Sequence, residues 1–402
     1  MEDVLVGEID SYLEKHWEDI VADIERVVRI ESTEDLSAAQ PNAPFGPGPR
    51  AALTEALNIA RDMGFDVHDV DGYVGYADLP GEYDTQIGII GHVDVVPAGP
   101  GWTVDPFAVT RREGYLMGRG VIDDKGPIIT ALHAVKFWLD KGEKLPYTIR
   151  VIFGANEETG MGDVPYYRER FADPAFLFTP DAEFPVSYGE KGLYDGTFTS
   201  KRFEGGAIVD IEGGAATNAV PGIAHAIVRA DVSALPQAEG IVVTDAGEGL
   251  ARIDAQGKAA HASLPHLGKS AIDLLVAYLL ENDVCTAEER AYFELVRKLT
   301  SATDGANLGI ETADEHFGEL TVVGGTISMK DGRVRQALDC RFPTSITPEE
   351  LAGTLAGLAG EAGADYETTR TVEPFLIDPE SGYVQALLSA YNEATGEHAK
   401  PF

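Results

Sequence analysis

Apolar residues recur at intervals of three, four and seven along the start of the chain, at Ile9, Leu13, Ile20, Ile24, Val27 and Val28, with charged residues between them. That spacing predicts an amphipathic helix over 8–30. Residues 41–49 are dense in Pro and Gly and predict a loop, after which 50–63 resumes a helical pattern closed by Gly64. Shorter apolar runs over 65–70, 73–78, 86–90 and 115–117 predict strands. A second stripe, Ile128, Leu132, Val135 and Leu139, predicts a helix over 128–141, with Pro127 in its first turn and Gly142 as its stop. Further apolar runs lie over 147–153 and 175–178. Helices alternating with strands in this way argue an α/β sandwich. After Gly192 the texture changes to short strands at 197–199, 206–212, 224–233 and 249–256, a helix from Ser270, and a last helix over 381–395. Two domains fit a chain of 402 residues.

Several of these runs end in residues that bind metals. Ile87-Gly88-Ile89-Ile90 leads into Gly91-His92-Val93-Asp94. Residues two apart in extended backbone leave on the same face, so Asp94 can hold the His92 imidazole in its metal-binding tautomer. Asp123 and Asp124 fall in the loop before a helix, where aspartates also serve as caps. Glu157 and Glu158 follow the 147–153 run; adjacent glutamates at a buried strand end repel one another unless a cation neutralises them or they point into water. Because neighbours point different ways, one can bind metal while the other faces a metal-bound water. Asp181 follows the 175–178 run. One imidazole and three carboxylates, His92, Asp123, Glu158 and Asp181, suit Zn²⁺, Mn²⁺ or Co²⁺.

Charge narrows the partners. Lys and Arg total 31 against 67 Asp and Glu, a net charge of -36. Such a field repels nucleic acid and anionic membranes, serves solubility and concentrates divalent cations. Cys285 and Cys340 are far apart and lack metal spacing, so neither a disulfide framework nor a zinc-thiolate site is expected, and a reducing cytoplasm fits. The acidic start has no basic leader followed by an apolar core, and no stretch approaches the roughly 18 apolar residues of a membrane span.

In order, GHVDVVP, GRGVIDDKGP, ANEETG and TPDAEFP resemble the motifs of the dinuclear zinc metallopeptidase family of aminoacylases, glutamate carboxypeptidases, succinyl-diaminopimelate desuccinylases and dipeptidases. GWTVDPF and PDAEFP resemble in particular its bacterial peptidase V-type, carnosinase-like dipeptidases. The resemblance implies an α/β protein of two domains. A mixed-sheet α/β catalytic domain over 1–191 is followed by an inserted α+β lid over 192–370, and 371–402 returns to the catalytic domain. It implies two divalent ions, zinc first, with manganese or cobalt as alternatives. Asp123 would bridge them, His92 and Asp181 would complete one site, and Glu158 would contribute to the other. Glu157 would be the general base, Asp94 the partner that orients His92, and the Asp123–Asp124 bond a cis peptide. In the lid, Asn218 and Arg341 would hold substrate and His261 would stabilise the oxyanion. Without the resemblance, Asn218 reads as a turn residue and His261 as an exposed loop histidine.

The expected activity is that of a metal-dependent dipeptidase, a cytoplasmic monomer acting on short peptides with no nucleic-acid or membrane partner. An N-acyl amino-acid amidohydrolase is the alternative with the same metal core; a truncated relative that binds peptide or metal without turnover is the alternative from another class. In the family the chain continues past the position of Phe402 to a last ligand histidine, which His398 is badly placed to replace. The expectation is one well-held ion, a weaker second, and an apolar patch with an unpaired strand edge near 384–388.

Overall fold

The computed structural model describes residues 2–99 and 101–402; Met1 and Pro100 lie outside the described residues. Contacts divide the chain into two compact units, one ending at Phe184 and the other beginning at Pro185.

The first unit is built from helices α1 (Glu2–Val28), α2 (Pro47–Met63), α3 (Lys125–Lys141) and α4 (Asp163–Arg168) around a five-stranded sheet. Its strands are β1 (Asp66–Val70), β2 (Val74–Leu79), β3 (Gln86–His92), β6 (Thr148–Gly154) and β7 (Phe176–Phe178), in the order β1-β2-β6-β3-β7. A hairpin of β4 (Thr110–Arg112) and β5 (Tyr115–Met117) stands apart from that sheet. The pairings β1–β2 and β2–β6 are antiparallel, whereas β6, β3 and β7 run parallel. The sheet is therefore mixed, as expected.

Alternation along β6 explains why its sequence is apolar throughout. Val151 and Phe153 join Leu53, Leu57, Ile128 and Leu132 in the main core, while Ile152 turns to the opposite face with Val70, Tyr76 and Tyr167. Helix α2 starts with Pro47 and Pro49 in its first turns and stops at Gly64, which adopts φ +96° where a side chain would be strained. Helix α1 begins earlier than its core-facing stripe. Ile20, Ile24, Val27 and Val28 are buried, but Ile9, Leu13 and Trp17 on the preceding turns are exposed.

The second unit carries a nine-stranded antiparallel sheet. Its order is Ile241–Gly247, Leu250–Gln256, Ile223–Val228, Ile208–Gly213, Ile327–Lys330, Arg333–Phe342, Gly192–Thr199 and Asp365–Val372, with Thr321–Val323 also on Arg333–Phe342. Ile272, Leu275, Phe293, Val296, Leu351 and Leu355 from three helices pack in one core with its strands. Two of those helices, Ala287–Thr300 and Pro348–Glu361, are absent from the sequence expectations. Each nevertheless opens with a capping box whose pattern is plain in the chain, Thr286 with Glu289 and Thr347 with Glu350.

Backbone pairing ties the end of the chain to the stretch just before residue 191. Phe375–Leu376 pairs with Gly189–Glu190, and Phe402 exchanges hydrogen bonds with Val186 and Tyr188. The unpaired strand edge expected near 384–388 is instead the helix Gly382–Thr395, with Val384 and Leu388 only 3% and 9% exposed. Ser381 caps that helix, so its backbone is satisfied internally and presents no edge. Among the described residues no helix is long and apolar enough to cross a membrane.

Candidate metal centre

The carboxyl ends of the three parallel strands lie side by side, since His92 is in register with Gly154 and Ile89 with Phe178. Parallel strands open their carboxyl ends onto loops, and here each loop brings a ligand-type side chain. Nε2 of His92 lies 3.0 Å from Asp123 Oδ1, 3.4 Å from Asp181 Oδ2 and 3.9 Å from Glu157 Oε2. Among the described residues, His92, Asp123 and Asp181 form the group whose ligand atoms, one from each, all lie within 4.8 Å of one another.

Asp94 determines what His92 offers. The imidazole Nδ1 is 3.1 Å from the Asp94 carbonyl oxygen and 3.3 Å from its Oδ1, both acceptors, so Nδ1 carries the hydrogen and donates it. That leaves Nε2 as the nitrogen that faces the acidic group. The Asp94 carboxylate also accepts from the backbone N–H groups of Glu157 and Glu158, each at 3.1 Å. One buried side chain thus fixes both the histidine and the glutamate loop.

Asp124 is not a helix cap. It stands at the N-cap position of α3 without a side-chain capping bond, and its Oδ2 accepts instead from the His92 backbone N–H at 3.0 Å. The Asp123–Asp124 peptide is cis, as the resemblance implies. This approach requires a glycine at 91, because a Cβ there would lie 2.0 Å from Asp124 Oδ2. Glu158 sits at the rim, its Oε1 accepting from the Val96 N–H at 3.2 Å.

The electrostatics of this cup call for a cation. Burial, with Asp181 nearby, pushes the Asp124 carboxyl up to about 8, and burial pushes Glu157 up to about 7. Glu158 is raised as well, by burial and by Asp123. Burial lowers the His92 pKa, but hydrogen bonds to Asp123, Asp181 and Asp94 outweigh it and the net shift is upward. Asp124 Oδ1 is buried without a hydrogen-bond partner. Carboxylates crowded around one imidazole form the donor set a divalent ion stabilises. The residues present therefore fit a metal.

Sequence reasoning missed the supports. Lys125 is fully buried and donates from Nζ to the Ile30 carbonyl at 2.7 Å, burial pushing it down to about 7. Asn156 accepts from Gly162 N–H and donates to Glu34 and Thr159, and Asp163 accepts from Asn156 N–H, bracing the glutamate loop. A polar residue inside an otherwise apolar strand exit, as at Asn156, was the available signal.

The remaining expected residues belong to the second unit. Asn218 and His261 are brought together on a two-stranded ribbon, Ala219–Val220 with Ala260–His261, in which Ala219 faces His261 and Ala262 N–H donates to the Asn218 carbonyl at 3.0 Å. Arg341 is already engaged by a carboxylate, donating through Nε and a terminal nitrogen to Asp339 at 3.0 and 3.1 Å. His398 is exposed.

The model of peptidase family M20/M25/M40 matches residues 88–401. YtjP of Bacillus subtilis is 30% identical over 95% of this chain and 85% of its own length. The Beta-Ala-Xaa dipeptidase of Lactobacillus delbrueckii subsp. lactis is 32% identical over 94% of this chain and 83% of its own. Human carnosine dipeptidase 1 aligns with a TM-score of 0.55 at 17% identity, over 95% of this chain and 84% of that one, a likeness of fold.

Proposed function

The chain belongs to peptidase family M20/M25/M40, and from that premise we propose that it is a metal-dependent dipeptidase. The observation that carries the reading is the convergence of His92, Asp123 and Asp181 within 4.8 Å, with Glu157 Oε2 3.9 Å from the same imidazole nitrogen. His92, Asp123 and Asp181 would hold one divalent ion, and Asp123 with Glu158 a second, zinc first and manganese or cobalt on the same donors. A metal bound there supplies Lewis acidity and brings the pKa of its water towards neutral.

Glu157 takes the proton of the attacking water and returns it to the leaving amine, a task suited to a carboxyl whose Oε2 lies 3.9 Å from Nε2 of His92. Asp94 accepts from Nδ1 of His92, which leaves Nε2 as the nitrogen that would meet the metal, and fixes the backbone from which Glu157 projects. His261 donates to the oxygen that becomes negative as the carbonyl is attacked. Asn218 holds the peptide backbone. Arg341, with Asp339 occupying one edge of its guanidinium, offers its remaining N–H groups to the substrate carboxylate. Free thiols at Cys285 and Cys340 accord with a reducing cytoplasm, and the reading is of a monomer taking small peptides.

Glu157→Gln tests the assignment. Hydrolysis of a free dipeptide should fall by about 100- to 10,000-fold with metal content unchanged, the range for loss of a general base. Loss of the metal together with activity would make Glu157 a ligand instead. Hydrolysis of an N-acetylated amino acid in preference to the free dipeptide would assign the same centre to an amidohydrolase.

A further inference from the structure

His261 is exposed, yet one edge of its ring is tied down. The backbone N–H of Ser263 donates to Nδ1 at 3.2 Å, and the Ser263 hydroxyl lies 2.7 Å from the same nitrogen. A backbone N–H can only donate, so Nδ1 must present its lone pair and a neutral ring must carry its hydrogen on Nε2. The hydroxyl then donates to Nδ1 as well. Nε2 has no hydrogen-bond partner among the described residues. The base of the ring is fixed too, because Ala262 between the two residues is buried with Val220 and Val323, and Ala219 pairs with His261 across the ribbon.

We infer that Ser263 is a positioning residue that fixes the rotation and tautomer of His261, so that a neutral imidazole points its Nε2–H outward as a donor. The inference rests on the oxyanion role proposed for His261 above. A freely rotating surface imidazole exchanges tautomers and presents a donor or an acceptor by turns; a donor that must be in place when charge develops gains from being oriented beforehand. The hydroxyl two residues on supplies that orientation without taking part in the reaction.

Histidine-selective ¹⁵N spectra of the zinc-loaded protein, with His261→Ala to identify the resonance, should show Nδ1 unprotonated and Nε2 protonated in the neutral ring. Ser263→Ala should move that resonance towards an averaged tautomer and lower kcat on the order of tenfold, the worth of one hydrogen bond to the ring, with KM within about twofold. Ser263→Thr, which keeps the hydroxyl, should restore both. Hydrogen on Nδ1 in the wild type, or a wild-type kcat in Ser263→Ala beside an impaired His261→Ala, would overturn the role of Ser263. A wild-type rate in His261→Ala would overturn the oxyanion reading itself.

Discussion

In the first unit His92, Asp94 and Asp124 are 2%, 1% and 0% exposed, and each is bound to backbone or side chain of another strand exit. In the second unit His261 and Ser263 are exposed on a ribbon with two residues in each strand. The difference follows from charge. A buried carboxylate cluster is costly unless every member is paired or a cation neutralises it, so the first unit carries a dense set of supports around its acids. A neutral imidazole in water carries no such cost, and one neighbouring hydroxyl and one backbone N–H suffice to orient it. Substitutions of the ligands in the cup should therefore act through the metal and act strongly, while substitutions on the ribbon should act on turnover alone.

Asp123→Ala should produce the largest effect. It removes the carboxylate nearest His92 Nε2 and should lose both the ion and the hydrolysis that depends on it, as read by elemental analysis beside a dipeptide assay. Full metal retention would break the contrast, because the cup would not depend on its central acid. Next in size is the loss in Glu157→Gln described above, which separates proton transfer from ligation. His261→Ala should cost about 100- to 1,000-fold in kcat, the value of one oxyanion donor, with metal affinity unchanged. A fall in metal content there would erase the distinction between the two regions. Gly91→Ala should be smaller, about 100-fold, because its Cβ would push Asp124 off the His92 N–H and shift His92 rather than delete it. Wild-type kcat in that variant would mean the close approach of Asp124 is dispensable.

How far the chain revealed these features depended on whether their cause was local. Helices α2 and α3 were legible because Gly64 and Gly142 close them, and β3 and β6 because runs such as Ile87–Ile90 are apolar at successive positions. His92 and Asp181 stood out as residues after apolar runs and Asp123 as one in the loop before a helix, and their ordered motifs carried the family. The start of α1 was misjudged because Ile9 and Leu13 belong to the helical stripe without facing the core. The role of Asp124 was ambiguous because an aspartate before a helix looks like a cap, and only the bond to His92 N–H, across 32 positions of sequence, decides otherwise. The same limit hid the engagement of Arg341 by Asp339: residues two apart on a strand share a face, but whether they meet is settled by packing. Lys125 gave no sign of burial, since nothing in its neighbours announces the Ile30 carbonyl that receives it.

The central claim is that the strand exits of the first unit hold a catalytic divalent ion on His92, Asp123 and Asp181. Elemental analysis of the dialysed protein, alongside His92→Ala and Asp181→Ala, tests it most directly. The account predicts one tightly held ion per chain in the wild type, a second that dialysis removes more readily because Glu158 shares only Asp123 with the first site, and loss of the tight ion in both variants. A wild-type protein that retains no ion, or variants that retain it undiminished, would contradict the account.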